Sequence, residues 1–545
     1  MQKIEYMEYP RPQLRRNKFY KLDGEWSCCN RKIMVPFPPQ ATLSGFEGDI
    51  PEKFTYEKEF LIPKHFTEDR IILHFGAVDQ CCQVKINGIE VGGHKGGYTA
   101  FSLDITSAVK RDEKNLIEVC VEDTLSLDYP YGKQTKKPEG MWYTPVSGIW
   151  QSVWLENVPD NYIKQLVITP FIDRVIIEPI GYKSFENVEV DIKLSDGTVL
   201  THKIAGAEDE IIIPNPVNWT VTNPYLYHFV VRADEDVVES YFALRTISIN
   251  NIDGINRVCL NGKPIFMHGV LDQGYFKDGI YLPENSEGYV QDIVNMKKLG
   301  FNMLRKHIKV EPEQFYYACD ALGMLVMQDM VNSGEYSFFR DTFLPTIGFN
   351  RRRTTKLSDN HPRRVIFENM MKKIVEQLYN HPSVVAYTIF NEGWGQFNTD
   401  DMYEYLKALD DTRLIDSASG WFVDSKTDFD SPHIYFRNVR LKPKSKPMLL
   451  SECGGYKYMI KDHYFWHKEY GYRSCKDSED LTKRIEKMYE VMVIPAIKKG
   501  LCGCVYTQLS DVEGEINGIY TYDRAVCKVN TDVMKQIADK IMAQI

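Results

Sequence analysis

The sequence predicts a multidomain protein: a jelly-roll β-sandwich over residues 1–160, an immunoglobulin-like β-sandwich over 161–248 and a (β/α)8 TIM barrel over 249–545. Three observations predict this architecture. Short β-rich runs separated by turn signals fill the first part of the chain. From about residue 250, apolar runs alternate with segments of helical periodicity. The 545 residues also provide room for roughly three or four domains of ordinary size.

The first two regions both have the pattern of β-sandwiches. The β-rich runs of the first region span 54–62, 70–75, 83–86, 115–122 and 150–155. Asn87-Gly88 is typical of a tight hairpin turn, and no long amphipathic helix interrupts the runs. The runs of the second region span 163–169, 188–194, 210–213, 227–232 and 237–244. So many short runs in so short a stretch favour a small immunoglobulin-like sandwich.

The third region contains eight apolar runs, which span 264–267, 301–304, 324–327, 384–390, 413–415, 433–435, 448–450 and 501–506. Helical segments fall between most of them. Ser286 and Gly300 bound one helix, Pro312 and Gly323 bound a second, and Thr399 opens a third. Eight such β/α units predict a closed barrel. A doubly wound open sheet is the alternative, but no glycine-rich phosphate loop follows the first strand.

The composition argues against several classes of function. With 75 acidic and 66 basic residues the net charge is −9, so we expect no binding to nucleic acid or to an anionic membrane. No apolar run approaches the roughly 20 residues that span a bilayer, and the N-terminus carries no apolar signal segment, so we expect a cytoplasmic protein. The twelve cysteines show neither a disulfide framework nor the spaced pairs of a zinc site, and we expect no metal and no cofactor.

Two glutamates stand where a barrel places its catalytic residues. Glu392 follows the fourth apolar run and Glu452 follows the seventh, and residues just beyond the carboxyl ends of barrel strands line the active site. Two carboxylates that face each other are the minimum equipment for glycoside hydrolysis, one as proton donor and the other as nucleophile or base. The alternative is that both are solvated loop residues or partners in ion pairs.

Other strand ends supply polar and aromatic groups of the kind that sugars need, which are amides, imidazoles, carboxylates and flat rings. The candidate substrate-binding residues are Asp272, Gln273, Arg305, His307, Asn391, Trp394, Trp421, His433, Tyr435 and Tyr506. Each one alone is a weak signal, since a histidine at a strand end is often structural and Trp421 could belong to the core. The long connection over 331–366 should lie on the catalytic face. Its arginines, Arg351–Arg353, are a solvated run or a contact for an anionic group or a partner subunit.

These residues belong to longer stretches that resemble glycoside hydrolase family 2, which holds β-galactosidases, β-glucuronidases and β-mannosidases. The resemblance covers nearly the whole chain. In the two sandwich regions it rests on LDGEW (22–26), YEKEF (56–60), VKINGIEVGGHKGGYTAF (84–101), SGIWQSVWLE (147–156), WTVTNPYLY (219–227) and YFALRTISI (241–249). In the barrel it rests on LNGKPIFMHGV (260–270), GFNMLRKHI (300–308), NHPSVVAYTIFNEGWG (380–395) and PMLLSECGG (447–455).

The resemblance implies a role for several residues. Glu392 would be the general acid/base and Glu452 the nucleophile of a double displacement that retains the anomeric configuration. Asn391 would hold the sugar 2-hydroxyl, Arg305 would orient the nucleophile, and Tyr435 would donate a hydrogen bond to it. A retaining site requires carboxyl groups about 5 to 5.5 Å apart, and a separation above about 7 Å would contradict the assignment.

The chain also departs from its relatives. Many of them have Arg/Lys-His-Glu after the first strand, where this sequence has Asp272-Gln273-Gly274, and often Trp at the end of the eighth strand, where Tyr506 stands. The β-glucuronidases carry an Asn-x-Lys element that clamps the uronate. Here no lysine follows Asn517 at that spacing, although an arginine of Arg351–Arg353 could substitute. Some β-galactosidases of the family use metal ions, but those ligands have no match here.

The sequence therefore predicts a retaining exo-acting glycosidase, β-galactosidase-like, acting on small glycosides or oligosaccharides. The same chemistry on β-glucuronides, β-mannosides or α-L-arabinopyranosides is the first alternative, and a carbohydrate-binding protein without catalysis is the second. A homo-oligomer is possible, and the two β-domains would either shape the cleft or form subunit contacts.

Overall fold

The computed structural model describes residues 4, 7–349, 354–435, 437–466 and 470–545. It confirms the order of two β-sandwiches followed by a barrel of eight parallel strands. The arginine run Arg351–Arg353 lies outside the described residues. No helix in the described part of the chain is both long and apolar enough to cross a bilayer.

The first sandwich packs a four-stranded sheet, β1-β12-β5-β9, against a six-stranded one, β3-β2-β4-β10-β7-β8, with β11 and β6 as a short pair. Its strands are β1 (Phe19–Lys21), β2 (Gly24–Cys28), β3 (Arg31–Val35), β4 (Lys53–Phe60), β5 (Arg70–Phe75), β6 (Val78–Asp79), β7 (Cys81–Ile86), β8 (Ile89–Lys95), β9 (Phe101–Asp104), β10 (Asn115–Glu122), β11 (Gly148–Ile149) and β12 (Val153–Val158). Alternation explains the core, since Ile117, Val119 and Val121 of β10 are buried on one face.

The second sandwich packs β13-β14-β17 against β16-β15-β18-β19. Its strands are β13 (Ile163–Pro170), β14 (Arg174–Gly181), β15 (Val188–Lys193), β16 (Val199–Lys203), β17 (Glu210–Ile212), β18 (Tyr227–Ala233) and β19 (Asp236–Phe242). The period of two recurs in β18, where Tyr227, Phe229 and Val231 point into the core. A three-stranded meander of β20 (Ile247–Ile252), β21 (Ile255–Leu260) and β22 (Lys263–Pro264) then leads to the barrel.

The barrel has the strand order β27-β26-β25-β24-β23-β32-β29-β28. Its strands are β23 (Met267–Asp272), β24 (Met303–Lys306), β25 (Leu325–Asp329), β26 (Val384–Asn391), β27 (Leu414–Ser419), β28 (His433–Ile434), β29 (Met448–Gly454) and β32 (Leu501–Thr507), with β30 (Tyr456–Lys457) and β31 (Arg473–Ser474) paired in the loop between the last two. In the described chain, a bridge between Gly420 and Pro432 joins β27 to β28 and closes the ring.

The first barrel strand corrects the prediction. The apolar run 264–267 was expected to be that strand, but it lies mostly in and after β22, and the barrel strand is Met267–Asp272. Two polar residues interrupt the apolar pattern of this strand. His268 hydrogen-bonds the Gly300 carbonyl at 2.9 Å and the Tyr489 hydroxyl at 2.9 Å, and Asp272 pairs with Lys306 at 2.7 Å. A strand with polar residues satisfied on its outer side does not read as an apolar run.

Helices cover the outside of the barrel. The helices of this region are α1 (Glu287–Lys298), α2 (Glu313–Leu322), α3 (Leu344–Thr346), α4 (Pro362–Leu378), α5 (Thr399–Leu409), α6 (Ser478–Met488), α7 (Ile494–Ile497) and α8 (Thr531–Met542), with π-helical turns at Phe338–Phe343 and Tyr489–Val493. The first sandwich has a 3-10 turn at Thr42–Ser44, between β3 and β4. The three helices predicted between strands are present. α2 ends as expected on Gly323, whose φ of 71° is left-handed and suits a residue without a Cβ.

A long excursion of the first sandwich reaches the barrel. The 123–148 segment, between β10 and β11, packs on the carboxyl ends of the barrel strands. The backbone N–H of Tyr131 donates to the Asn332 carbonyl at 3.0 Å, and the Tyr131 hydroxyl donates to the Gly334 carbonyl at 2.9 Å. The backbone N–H of Thr144 donates to Glu513 at 2.9 Å. The first sandwich therefore forms part of the wall above the barrel mouth.

Candidate active site

Glu392 and Glu452 meet at the mouth of the barrel. One carboxylate oxygen of each lies within 4.8 Å of the other. The Tyr435 hydroxyl joins them, at 2.8 Å from Glu452 Oε2 and 3.1 Å from Glu392 Oε1. Burial and the two carboxylates raise the pKa of Tyr435, so its hydroxyl stays protonated as a donor. This bound on the nearest pair of oxygens fits the roughly 5 to 5.5 Å between the carboxyl groups of retaining sites and is below the roughly 6.5 to 9.5 Å of inverting ones.

A bulge in β29 turns Glu452 inward. Leu449 belongs to the barrel interior, whereas Leu450 and Cys453 belong to the layer under the helices. Strict alternation from Leu450 would send Glu452 outward with it. The register between β29 and β32 shifts between Leu450 and Cys453, and this irregularity lets Glu452 face the mouth.

Positive charge surrounds Glu452. Arg305, which is fully buried, donates from one nitrogen to Glu452 at 3.2 Å and from the others to Asp329 at 3.0 Å and Asn391 at 2.9 Å. Burial alone would raise the pKa of Glu452, but the charges of His433 and Arg305 outweigh it and lower the pKa to about 2. Glu452 is therefore ionised at neutral pH, as a nucleophile must be.

Glu392 has a different environment. His433 Nδ1 lies 2.8 Å from its Oε1, while His433 Nε2 lies 2.9 Å from the Ser419 hydroxyl. The Trp421 indole N–H donates to the backbone carbonyl of Glu392 at 3.1 Å. The φ of Glu392 is 51°, in the left-handed region that non-glycine residues seldom adopt, and such strain concentrates at functional sites.

Most of the predicted site residues gather around this pair. Arg305, Asn391, Trp421, His433 and Tyr435 contact one of the two glutamates or bond a residue that does.

Two more lie beside the pair. His307 hydrogen-bonds Asp329 at 2.7 Å, and burial together with the Lys133 charge lowers the pKa of His307 to about 4, so its ring is neutral. Trp394 stacks on Trp142 with ring centroids 5.4 Å apart and forms an aromatic wall.

Two predicted residues lie elsewhere, and the prediction for them is corrected. Asp272 points away from the mouth into an outer cluster of four buried charges, Asp272, Lys306, Lys309 and Glu311. Tyr506 packs among the apolar side chains under the helices, where Cys504 also lies, while Val505 faces the interior. Alternation along a strand is the reason, because it sends Thr507 rather than Tyr506 toward the mouth, and the Thr507 hydroxyl donates to Glu452 at 3.3 Å.

Gln273 lies at the edge of the site. Its amide nitrogen donates to the Tyr143 hydroxyl at 2.7 Å and to Gln508 at 2.8 Å, and it lies 3.4 Å from Glu515. Asn517 donates to the other oxygen of Glu515 at 3.0 Å. The segment after the eighth strand thus presents a buried carboxylate.

Sequence reasoning left open whether the first sandwich shapes the cleft, and it named none of the residues that this sandwich and the segment before the eighth strand bring to the site. Lys133, Trp142 and Tyr143 come from the 123–148 segment, and Tyr472 stacks on Tyr435 with ring centroids 4.2 Å apart. Composition does not mark the 123–148 segment, because its four aromatic residues, Tyr129, Tyr131, Trp142 and Tyr143, are close to the 12% average of the chain.

Two further features concern the extent of the site. Glu392, His433 and Glu452 bring possible metal ligands within 4.8 Å of one another, yet hydrogen bonds already join these side chains, and the expectation of no metal stays a prediction. A cavity of about 1060 Å³ opens between the first sandwich and α4 and includes His94 and Lys373 in its lining. None of the residues that line it is one of the paired glutamates, so the chemistry is assigned to the barrel mouth.

The fold and the paired carboxylates define the class as a barrel glycosidase. Residues 252–452 match the family description "Glycosyl hydrolases family 2, TIM barrel domain", and residues 41–159 match "Glycosyl hydrolases family 2, sugar binding domain". The chain belongs to glycoside hydrolase family 2.

Relatives within the family carry different activities. A β-galactosidase of Thermoanaerobacter pseudethanolicus is 26% identical over 442 residues, covering 75% of this chain and 54% of that protein. A β-glucuronidase of Streptococcus agalactiae is 26% identical over 373 residues, covering 64% of this chain and 60% of that protein. The chain thus spans little more than half the length of these relatives.

The similarity to solved structures extends further along the chain. A β-D-glucuronidase structure from Dictyoglomus thermophilum has a TM-score of 0.76 at 18% identity and covers 98% of both chains. At this identity the likeness shows the shared fold.

Proposed function

We propose that this protein is a retaining exo-acting β-glycosidase in which Glu452 is the nucleophile and Glu392 the general acid/base. The observation that carries the proposal is the carboxylate pair, with oxygens within 4.8 Å and the Tyr435 hydroxyl between them. A separation this short leaves no room for a water between the carboxylate and the sugar, so direct attack is favoured.

In the first step, Glu452 attacks the anomeric carbon while Glu392 gives its proton to the glycosidic oxygen of the leaving aglycone. The new bond is the ester between Glu452 and the sugar, and the bond that breaks is the glycosidic C–O bond. In the second step, Glu392 takes a proton from water, whose oxygen displaces Glu452. Arg305 and Tyr435 hold Glu452 in position, and Asn391, fixed by Arg305, is available for the sugar 2-hydroxyl.

The sugar we favour is a neutral one of the β-galactoside type. The segment where glucuronidases are expected to carry a uronate-binding lysine holds the buried Glu515 instead. The nearest lysine in that segment, Lys528, is occupied by Asp511 and by the carbonyls of Tyr458 at 2.9 Å and Ile516 at 3.1 Å. A uronate there would meet a carboxylate rather than a free cation.

β-Glucuronides are the second candidate. A sequence relative is named a β-glucuronidase, and so is a solved structure whose fold matches almost the whole chain. β-Mannosides and α-L-arabinopyranosides are further alternatives for the sugar, and the same set of substrates tests them. The twelve cysteines are all free thiols, which supports a cytoplasmic location as part of the proposal.

A panel of chromogenic aryl glycosides tests the activity and the sugar together. We expect release of the chromophore from the β-galactoside, a loss of roughly 10⁴-fold or more in kcat for Glu452→Gln, and a loss of roughly 10² to 10⁴-fold for Glu392→Gln. Glu404→Gln, an exposed change on α5, is the matched control and should leave the rate unchanged.

A 2-fluoro sugar that traps the ester should add its mass to the peptide that holds Glu452. Unchanged hydrolysis by Glu452→Gln would refute the assignment of the nucleophile. Failure of the wild type to cleave any glycoside, with sugar binding retained, would favour the carbohydrate-binding alternative.

A further inference from the structure

Lys133 differs from the other buried lysines of the described chain. Its residue surface is 6% exposed, yet within the described residues its ammonium makes no hydrogen bond and no ion pair. Lys306 pairs with two carboxylates, at 2.7 Å and 2.8 Å, and Lys309 pairs with Glu311 and two carbonyls. Lys528 pairs with Asp511 and two carbonyls. Most of the Lys133 side chain is buried, and no group in the described chain accepts a hydrogen bond from its ammonium, so a ligand can supply the missing oxygen.

Aromatic rings and other unsatisfied polar atoms surround this ammonium. Lys133 Nζ lies 5.6 Å from the centroid of the Tyr143 ring and 5.7 Å from that of Trp394. Within the part of the chain that the structure describes, the Trp394 indole N–H and the Gln273 side-chain carbonyl are buried without a partner, and the Gln273 amide nitrogen donates to the Tyr143 hydroxyl. The Lys133 ammonium and two buried polar atoms without a partner in the described chain thus lie around the same two rings, as in a site that awaits a polar ligand.

The charge of Lys133 also reaches the proposed nucleophile. It lowers the pKa of Glu452 and that of His307, and Trp394, which contacts the ammonium, has its ring centroid 6.4 Å from that of His307. Glu392, Glu452 and Glu515 are the carboxylates near Tyr472, and the Arg305 charge is already held by Asp329 and Glu452. An acidic sugar would add a further negative charge beside these carboxylates. A neutral hydroxyl is therefore the better partner for Lys133.

We propose that Lys133, supplied by the first sandwich, is a substrate-binding residue whose ammonium donates hydrogen bonds to a hydroxyl oxygen of a neutral sugar in the barrel mouth. This inference rests on the proposed glycosidase function. The Trp394 and Tyr143 rings hold the ammonium in place by cation–π contact, and Trp394 N–H and Gln273 can bond further hydroxyls of the same sugar. The two domains would then share one subsite.

The test compares Lys133→Met, Lys133→Arg and the control Lys136→Met. Lys136 belongs to the same segment, is exposed, and pairs with Glu52 at 2.8 Å. We expect Lys133→Met to lose roughly 10- to 100-fold in kcat/KM on the sugar that the wild type cleaves, and Lys136→Met to match the wild type. Lys133→Met should leave the melting temperature close to that of the wild type, because no hydrogen bond or ion pair within the described chain is lost.

The pH profile separates a role in the site from a structural one. Without the Lys133 charge the pKa of Glu452 rises, so the acid limb of kcat/KM for Lys133→Met should move to higher pH. Lys133→Arg keeps the charge and should keep the wild-type acid limb, while its larger head group lowers kcat/KM.

Equal kcat/KM and an unshifted acid limb in Lys133→Met, beside an active wild type, would overturn the proposal and leave the glycosidase function standing. A matched pair of aryl galactoside and aryl galacturonide adds a second arm. If the substitution harmed the galacturonide far more than the galactoside, Lys133 would bind a carboxylate and the neutral-sugar inference would be wrong. If the wild type cleaved no glycoside, the proposed function itself would fail, whatever Lys133→Met does.

Discussion

Two clusters of buried charge lie back to back on β24, and only one belongs to the candidate site. The inner cluster joins Arg305 to Asp329 and Glu452, and the outer cluster joins Lys306 to Asp272 and Glu311. Arg305 and Lys306 are neighbours in sequence, but alternation along the strand sends one to the mouth and the other toward α2, where Lys306 lies 4.3 Å from the Phe315 ring centroid.

The difference between the clusters is one of completeness. In the outer cluster Lys306 and Lys309 surround Glu311, and Asp272 also receives the Gly274 N–H, so its groups are satisfied within the protein. Beside the inner cluster, Trp394 Nε1 and Gln273 Oε1 are buried without a partner among the described residues, and Lys133 lies next to Trp394. Burial and charge alone therefore do not identify an active site, whereas unpaired polar atoms beside a carboxylate pair do.

The sharpest test of this contrast is Arg305→Met. It removes the cation that holds Glu452 and Asn391, so we expect kcat/KM to fall by on the order of 10³-fold and the acid limb to move to higher pH as the pKa of Glu452 rises. Steady-state kinetics across pH measure both effects. Arg305→Lys, which keeps the charge but loses the second and third contacts, should recover part of the rate. Full activity of Arg305→Met would remove the distinction between the clusters.

The neighbouring change should act on stability instead. Lys306→Met leaves Asp272 and Glu311 with one ammonium fewer in a buried place, and we expect the free energy of unfolding to fall by about 3 to 5 kcal/mol. Denaturant unfolding measures it, with the exposed Lys136→Met as the control. The kcat of the folded fraction should stay near that of the wild type, and a large loss of kcat without loss of stability would place Lys306 in the site.

The smallest effect is expected at the end of β32. Thr507→Val removes the 3.3 Å hydrogen bond to Glu452 while keeping the shape of the side chain, and kcat/KM should fall only a few-fold. Tyr506→Phe, one residue earlier and on the outer side, should leave kcat/KM unchanged. The reverse result would mean that the corrected placement of Tyr506 is wrong and that this residue contacts the sugar.

The sequence was sufficient for the fold and for the carboxylates, because both depend on local pattern. Glu392 follows eight buried strand residues. The ends of α1 and α2 match Gly300 and Gly323, whose left-handed φ suits a residue without a Cβ, whereas Ser286 precedes α1 without a side-chain capping hydrogen bond.

Contacts between residues far apart in the chain could not be predicted from the sequence. The side to which Asp272 or Tyr506 points depends on the exact start of a strand, and the bulge before Glu452 does not appear in an apolar run. Lys133 lies at the barrel mouth because the 123–148 segment of the first sandwich packs there. The hydrophobic periodicity of the sequence does not predict how one domain packs on another.

The β-bridge that closes the barrel has a consequence for how the protein loses its active-site geometry on heating. β27 and β28 meet at Gly420 and Pro432, and the Ser419–His433 hydrogen bond crosses the same boundary. If thermal motion parts these two strands, His433 moves away from Glu392 before the rest of the ring comes apart. On heating, activity should therefore be lost before secondary structure. A substitution that strengthens the contact between β27 and β28 should raise the inactivation temperature more than one that adds the same stability elsewhere.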